Sequence, residues 1–279
     1  MLISTDNLLK EIDSEECIII DASWYLPTDK RDTFSEYNLC HIPGAFFFDI
    51  DNVCDKKTDL PHMLPSKKQF KNQISMFGIN DNSKIVIYDS KGIYSSPRLW
   101  WMFNFFGISN VFVLDGGLQK WLDENKPTTK NITSPLKGKI KIKENRSILS
   151  NMKKVILSIK NKDSIILDAR TKERFFGKVD EPRNNLRKGH INCSINLFFE
   201  ELLNDKKTFK SKYQIKQIFK TKKIDFSKHI IVSCGSGITA AILFFSLKLI
   251  GVKNVSLYDG SWSEWGSFSI DEIENLFHA

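Results

Sequence analysis

The chain has 279 residues and a mass of 32.2 kDa, a length for about two domains with real cores. A composition of 41% hydrophobic and 27% charged residues is that of a soluble globular protein, and no apolar run approaches the ~20 residues of a membrane-spanning helix. Five cysteines, none in a C-x-x-C pair, argue against a disulfide framework and a zinc cage and fit a reducing, cytoplasmic compartment, while 41 Lys and Arg against 33 Asp and Glu leave a net charge of +8 to be explained.

In chain order, Met1 to Asp6 shows no basic segment ahead of an apolar one, so no secretion signal is expected. Ile18-Ile19-Ile20 before Asp21-Ala22-Ser23 predicts a buried strand, and His41-Ile42-Pro43-Gly44-Ala45 a turn leading into Phe46-Phe47-Phe48. Another strand is predicted at 85–87, ahead of Asp89, and the run from Gly107 to Gly117 with Trp121 closes the first half. Residues 125–146 then change character. They carry seven basic residues against one acidic, broken by Pro127, Pro135 and Gly138 without an apolar helical face, and so predict a basic linker in which 139–143 alternates well enough for an edge strand.

Beyond the linker the landmarks return. Ile165-Ile166-Leu167-Asp168-Ala169-Arg170 echoes 18–23, Gly189-His190-Ile191-Asn192 echoes the His41 turn, His229 to Cys234 echoes Lys84 to Asp89, and Gly251 to Ser261 with Trp265 echoes 107–117 with Trp121. The offsets are 147, 149, 145 and 144 residues, a drift small enough to identify a duplicated domain. Buried strands alternating with helical patterns predict an α/β fold, each copy a mainly parallel sheet flanked by helices. The expected division is a first domain over 1–124, the linker 125–146 and a second domain over 147–279. Thr239 to Ile250 reads as an apolar helix stopped by Gly251, and Ile215, Ile218 and Phe219 put one apolar stripe on a lysine-rich helix.

Divided along the chain, the charge loses its nucleic-acid meaning. Residues 1–124 carry 12 basic against 18 acidic residues, and residues 147–279 carry 22 against 14. The eight lysines between 206 and 223 have no interleaved aromatic or arginine platform and read as a solvated face, so no nucleic-acid partner is expected.

Chemistry concentrates at Ser233-Cys234-Gly235-Ser236-Gly237-Ile238-Thr239-Ala240, between a strand and an apolar helix. Two glycines let backbone N–H groups turn inward, the helix adds its positive end, and a thiolate at Cys234 is an anion such a loop stabilises. Cys17, Cys40, Cys54 and Cys193 lack comparable surroundings. A phosphatase needs an arginine at the sixth place after the cysteine; here that place is Ala240, and a loop sized for one extra sulfur is the better reading.

Two repeats with this single loop resemble the two-domain rhodanese superfamily, and within it the branch that takes sulfur from 3-mercaptopyruvate. The resemblance spans nearly the whole chain: Asp21 to Pro27, His41 to Ala45, His62-Met63-Leu64-Pro65, Ser96-Pro97-Arg98 with Trp100-Trp101-Met102, Glu181-Pro182-Arg183 and Tyr258 to Trp262. It implies that only the second domain is catalytic, in agreement with Asp89 at the matching place in the first. It implies a neutral Gly235-Ser236 pair where thiosulfate users have basic residues, hence mercaptopyruvate as donor. Ile238 replaces the usual Val, and Asn192-Cys193 replaces the usual Pro-Gly, which puts that turn's geometry in question.

By the same resemblance, Arg174 and Arg183 clamp the substrate carboxylate and keto group, for which a guanidinium fork is suited, and Gly235, Gly237, Ile238 and Thr239 complete the substrate-binding loop, with Thr239 also capping the helix. Cys234 attacks the donor sulfur to give a persulfide and the enolate of pyruvate. Ser236 and His41 are expected to relay the proton, with Asp32 as acidic partner and Asp29 and Glu36 as rivals. No cofactor and no metal are implied. The acceptor is a thiol such as thioredoxin, or cyanide, and the chain is expected to be a monomer. Two alternatives stand beside this: a thiosulfate sulfurtransferase, and a non-enzymatic persulfide carrier or partner-binding module.

Overall fold

In the computed structural model, which describes residues 1–134 and 137–278, each half folds around a five-stranded, wholly parallel sheet. The first has strands β1 (Leu2–Ile3), β2 (Cys17–Asp21), β3 (Ala45–Phe47), β4 (Lys84–Tyr88) and β5 (Val111–Leu114) in the order β1-β5-β4-β2-β3. The second has β6 (Leu149–Ser150), β7 (Ser164–Asp168), β8 (Ile195–Asn196), β9 (His229–Ser233) and β10 (Val255–Tyr258) in the order β6-β10-β9-β7-β8. The second order is the first shifted by five strands, so the duplication seen in the landmarks is a duplication of topology.

The central strands read as unbroken β-branched runs because helices cover both faces of a parallel sheet. Ile19, Val86 and Leu114 with Trp121 form the core of the first half; Ile166, Ile231, Trp262 and Trp265 form that of the second. Each buried side chain of this size contributes roughly 1.5–3 kcal/mol. Helix Ala240–Leu249 is buried along Ala240 to Leu247, hence its unbroken apolar sequence. It stops where Gly251, at φ +88°, lets the Gly251 and Val252 N–H groups return to the Lys248 and Leu247 carbonyls; Gly107 and Ile108 do the same for helix Ser96–Phe105. Helix Lys212–Thr221 buries Ile215 and Phe219 and leaves Lys212, Lys216 and Lys220 exposed, as a solvated basic face requires.

By packing, the chain divides into two compact units that exchange short segments. One comprises Met1–Lys56, Leu64–Asn145 and Leu203–Phe209, the other Lys57–Met63, Arg146–Leu202 and Lys210–Ala279. The described residues of 125–145 group with the first unit and Arg146 with the second, so most of the basic linker packs against the first unit. Thr129 pairs with His41 through both backbone groups, the Gly138 N–H donates to the Ser75 carbonyl, and Ile140 and Ile142 are buried. The alternation at 139–143 is real in burial, yet these residues form no strand: the N–H groups of Lys139 and Lys141 donate to the side chains of Asn80 and Asp81. Pro135 and Leu136, inside that segment, and Ala279 lie outside the described residues.

The second His-Ile turn keeps its shape despite Cys193. Ala45 N–H closes the first turn on the Ile42 carbonyl and Ser194 N–H closes the second on that of Ile191, both at 3.0 Å, with Gly44 at φ +77° and Cys193 at φ +63° in the corresponding left-handed position. Cys193 thus takes the backbone state glycine accepts more cheaply.

Candidate active site

β9 ends at Ser233 and the next helix begins at Ala240, so Cys234 stands first in a six-residue loop on the carboxyl end of a central strand, where open α/β sheets place their ligands. The loop is held by helix Ser261–Trp265. Ser261 Oγ accepts the Cys234 N–H and donates to the Tyr258 carbonyl, the Trp262 N–H donates to the Cys234 carbonyl, and Ser263 donates its N–H and its hydroxyl to the Gly235 carbonyl at 2.8 and 2.7 Å. Gly237, at φ +79°, turns the chain toward the helix, and Ile238 packs into the interior. Among the described residues no acceptor meets the N–H groups of Gly235, Ser236, Ile238 and Thr239. The loop thus presents a set of inward dipoles and a helix N-terminus beside a buried thiol, suited to an anion on sulfur. Thr239 occupies the cap position but its hydroxyl makes no capping bond, contrary to the expectation from sequence; its backbone already has helical angles.

Arg174 reaches this loop from the short helix Lys172–Phe175, whose start is fixed by Thr171 Oγ1 accepting the Arg174 N–H. A Cβ placed on Gly235 would stand 2.9 Å from Arg174 Nη2, so the absence of a side chain at 235 is what admits the guanidinium. Arg174 is not an open fork. Its Nε and Nη2 donate to Glu181 Oε1 and Oε2 at 3.2 and 2.5 Å. Glu181 also accepts from Arg170 Nη1 at 2.8 Å, and Arg170 in turn grips Asp168 and the Gly189 carbonyl and lies 4.5 Å from the Trp262 ring centre. Asp168, Arg170 and Glu181 are buried, and such a row of alternating charges is stable in the interior because every charge has a partner. In the sequence Glu181 stands out only as the head of the Glu181-Pro182-Arg183 motif. Arg183 is half-buried two residues further on.

The structure corrects the proton relay. His41 is fully buried in the first unit with Nδ1 2.7 Å from the Tyr37 carbonyl and Nε2 3.2 Å from that of Asn131, its ring stacked on Tyr37. Its repeat counterpart His190 does the same, Nδ1 on the Phe175 carbonyl and ring on Phe175. Both are scaffold residues of the turn. Asp32 is exposed and caps helix Thr33–Leu39 by accepting the Ser35 N–H, while Asp29 pairs with Lys91 and Glu36 with Arg31 and Tyr25. The histidine beside Ser236 is His62. Its Nδ1 lies 3.0 Å from Ser236 Oγ, both side chains are buried, and the segment Lys57–Met63 carrying it belongs to the second unit. His62 had appeared only as part of the His-Met-Leu-Pro landmark, and its lack of an echo among the repeats was the one available signal of a separate task.

The other cysteines stay apart from this site. Burial, reinforced by Glu11, pushes the Cys17 thiol up to about 11; Cys54 is buried with its thiol donating to the Asp51 carbonyl; Cys193 is exposed. Among the described residues no group of His, Cys, Asp and Glu could hold a metal ion, and no helix is long and apolar enough to cross a membrane.

With this geometry in hand, the chain was compared with known proteins. The model of the rhodanese-like domain matches twice, at residues 4–124 and 151–268. Human 3-mercaptopyruvate sulfurtransferase is 37% identical over 249 residues, covering 88% of this chain and 84% of that protein. The mitochondrial thiosulfate/3-mercaptopyruvate sulfurtransferase 1 of Arabidopsis thaliana is 35% identical over 298 residues, covering 99% and 78%. Among solved structures, SseA from Escherichia coli, described as having the rhodanese fold and the mechanism of 3-mercaptopyruvate sulfotransferases, superposes with a TM-score of 0.86 at 35% identity, over 94% of this chain and 98% of that one.

Proposed function

The chain belongs to the rhodanese-like family and is a sulfurtransferase, and from that premise we propose that its donor is 3-mercaptopyruvate and that the sulfur passes through a persulfide on Cys234. The observation that carries this reading is the buried Cys234 at the head of a loop whose next residues, Gly235 and Ser236, are uncharged, with Arg174 against Gly235 and His62 on Ser236.

Held by Arg174 and Arg183, the keto acid presents its sulfur to the Cys234 thiolate. A Cys234–sulfur bond forms as the donor's carbon–sulfur bond breaks, and the electron pair stays on carbon as the enolate of pyruvate. The proton of the donor thiol travels through Ser236 and His62 to that carbon, so pyruvate leaves and a persulfide anion remains in the field of the loop amides and helix end. A thiol acceptor such as thioredoxin, or cyanide in assay, then takes the outer sulfur and restores the thiolate. Thiosulfate is the slower donor in this reading, consistent with the double name of the Arabidopsis relative. The five free cysteines support action in a reducing compartment such as the cytoplasm, and in this reading the protein is a monomer acting on a small molecule.

The test is pyruvate release from mercaptopyruvate. Cys234→Ser is expected to lose at least ~10³-fold in turnover, and Arg183→Lys to raise KM about tenfold through loss of the planar fork. Full activity in Cys234→Ser would overturn the mechanism. Stoichiometric persulfide from a cysteine desulfurase without pyruvate release from mercaptopyruvate would make the protein a sulfur carrier instead.

A further inference from the structure

The Arg174 guanidinium stands against Gly235 of the catalytic loop, yet its side-on fork is already filled. Nε and Nη2 face the two oxygens of Glu181, so a donor anion meets only what is left of the guanidinium end, and meets it with a carboxylate directly behind. The buried row Asp168, Arg170, Glu181 and Arg174 contains two guanidiniums and two carboxylates and is formally neutral. Next to the loop stands Gly235, whose missing side chain lets Arg174 approach, and then Ser236, which is uncharged. The positive field that Arg174 sends over the loop is therefore cut back by Glu181 from one guanidinium width away.

We propose that Glu181 is the positioning residue that sets how much negative charge the donor carries: by offsetting Arg174 it matches the site to a singly charged keto acid and disfavours a dianion such as thiosulfate. The reasoning is electrostatic. Even with screening as strong as bulk water's, one unit of charge about 4 Å away changes the binding of a dianion more than that of a monoanion by about fivefold. It rests on the sulfurtransferase reading only for the identity of the donors, since the charge preference belongs to the site whether or not it turns over.

The test uses two measurements on the full chain. The first is the protection of Cys234 from alkylation by pyruvate, a monoanion, and by sulfate, a dianion, which needs no turnover. The second is the ratio of kcat/KM for thiosulfate to that for mercaptopyruvate. Glu181→Gln keeps the shape and removes the charge, and both ratios are expected to move about fivefold toward the dianion. Glu181→Asp keeps the charge and shortens the side chain, and is expected to keep the wild-type ratios even if both rates fall. Arg170→Gln removes a positive charge at the same depth and is expected to move the ratios the other way, so the two charge changes give opposite signs if either variant is poorly folded and is measured on its folded fraction. Unchanged ratios in Glu181→Gln, or equal shifts in Glu181→Gln and Glu181→Asp, would reduce Glu181 to a purely structural ion pair. A wild type that does not turn over mercaptopyruvate would count against the donor assignment, while the protection ratio would still decide the role of Glu181.

Discussion

The loops after β4 and β9 occupy the same place in the two sheets and have opposite fates. In the first unit the loop begins at Asp89, whose carboxylate accepts the N–H groups of Lys91, Tyr94, Ser95 and Ser96 and the Ser96 hydroxyl, at 2.6–3.1 Å. In the second the loop begins at Cys234, is one residue shorter, and four of its N–H groups meet no acceptor among the described residues. The backbone carbonyls behave identically: Leu118 N–H donates to that of Asp89 and Trp262 N–H to that of Cys234, each at 3.0 Å. The fold therefore builds an anion cradle twice. Where the anion is a tethered carboxylate the cradle is structure, and where a thiol stands in its place the cradle suits the sulfur anion of the proposed mechanism.

Exchanging the two head residues tests this most severely. Cys234→Asp is expected to abolish sulfur transfer, a loss of at least ~10³-fold, yet to stabilise the second unit by about 1 kcal/mol if its carboxylate finds the loop amides. Asp89→Cys leaves five donors without an acceptor and is expected to cost about 3 kcal/mol without creating a second persulfide site. Denaturant melts with mass spectrometry of sulfur-loaded protein would read both. A melt unchanged by Asp89→Cys would end the cradle interpretation.

The buried acids at the ends of β2 and β7 differ in the same spirit. Asp168 is gripped by Arg170, whereas Asp21 has Ser23 at the matching place and burial pushes its carboxyl up to about 6. A raised folded value means that the native state holds a proton the unfolded chain has lost. The contribution of Asp21 to stability is thus highest below the ordinary carboxyl range, falls as pH rises from about 4 to about 6, and is flat above. Asp21→Asn is expected to be about 2 kcal/mol more stable than wild type at pH 7 and no different near pH 4, in urea melts at several pH values. A constant difference across pH would assign the effect to packing.

The smallest contrast is in the two His-Ile turns. Cys193→Gly is expected to gain about 0.5–1 kcal/mol by relieving a left-handed cysteine, and Gly44→Cys to lose about as much. Nothing lies within 4 Å of a Cβ built on Gly44, so the second change isolates the backbone cost. Thermal melts showing the reverse signs would mean that the Cys193 side chain contributes a contact of its own.

Sequence alone carried the duplication, the parallel α/β class and Cys234, because hydrophobic runs, glycine stops and a Gly-Ser-Gly loop are local signals whose physics acts within a few residues. It also offered Arg174 and Arg183 as candidates, of which Arg174 lies against Gly235. What it did not carry was who stands beside whom. His41 looked like a relay histidine, but its ring is held by the carbonyls of Tyr37 and Asn131; the place beside Ser236 belongs to His62, 174 residues away along the chain. Nothing local to Arg174 shows that Glu181 fills its fork, and nothing local to the basic segment shows that Ile140 and Ile142 are buried. Those facts were decided by long-range packing. A side chain's partner is set by which segments the tertiary fold brings together, and no periodicity in the chain encodes a meeting between residues that far apart.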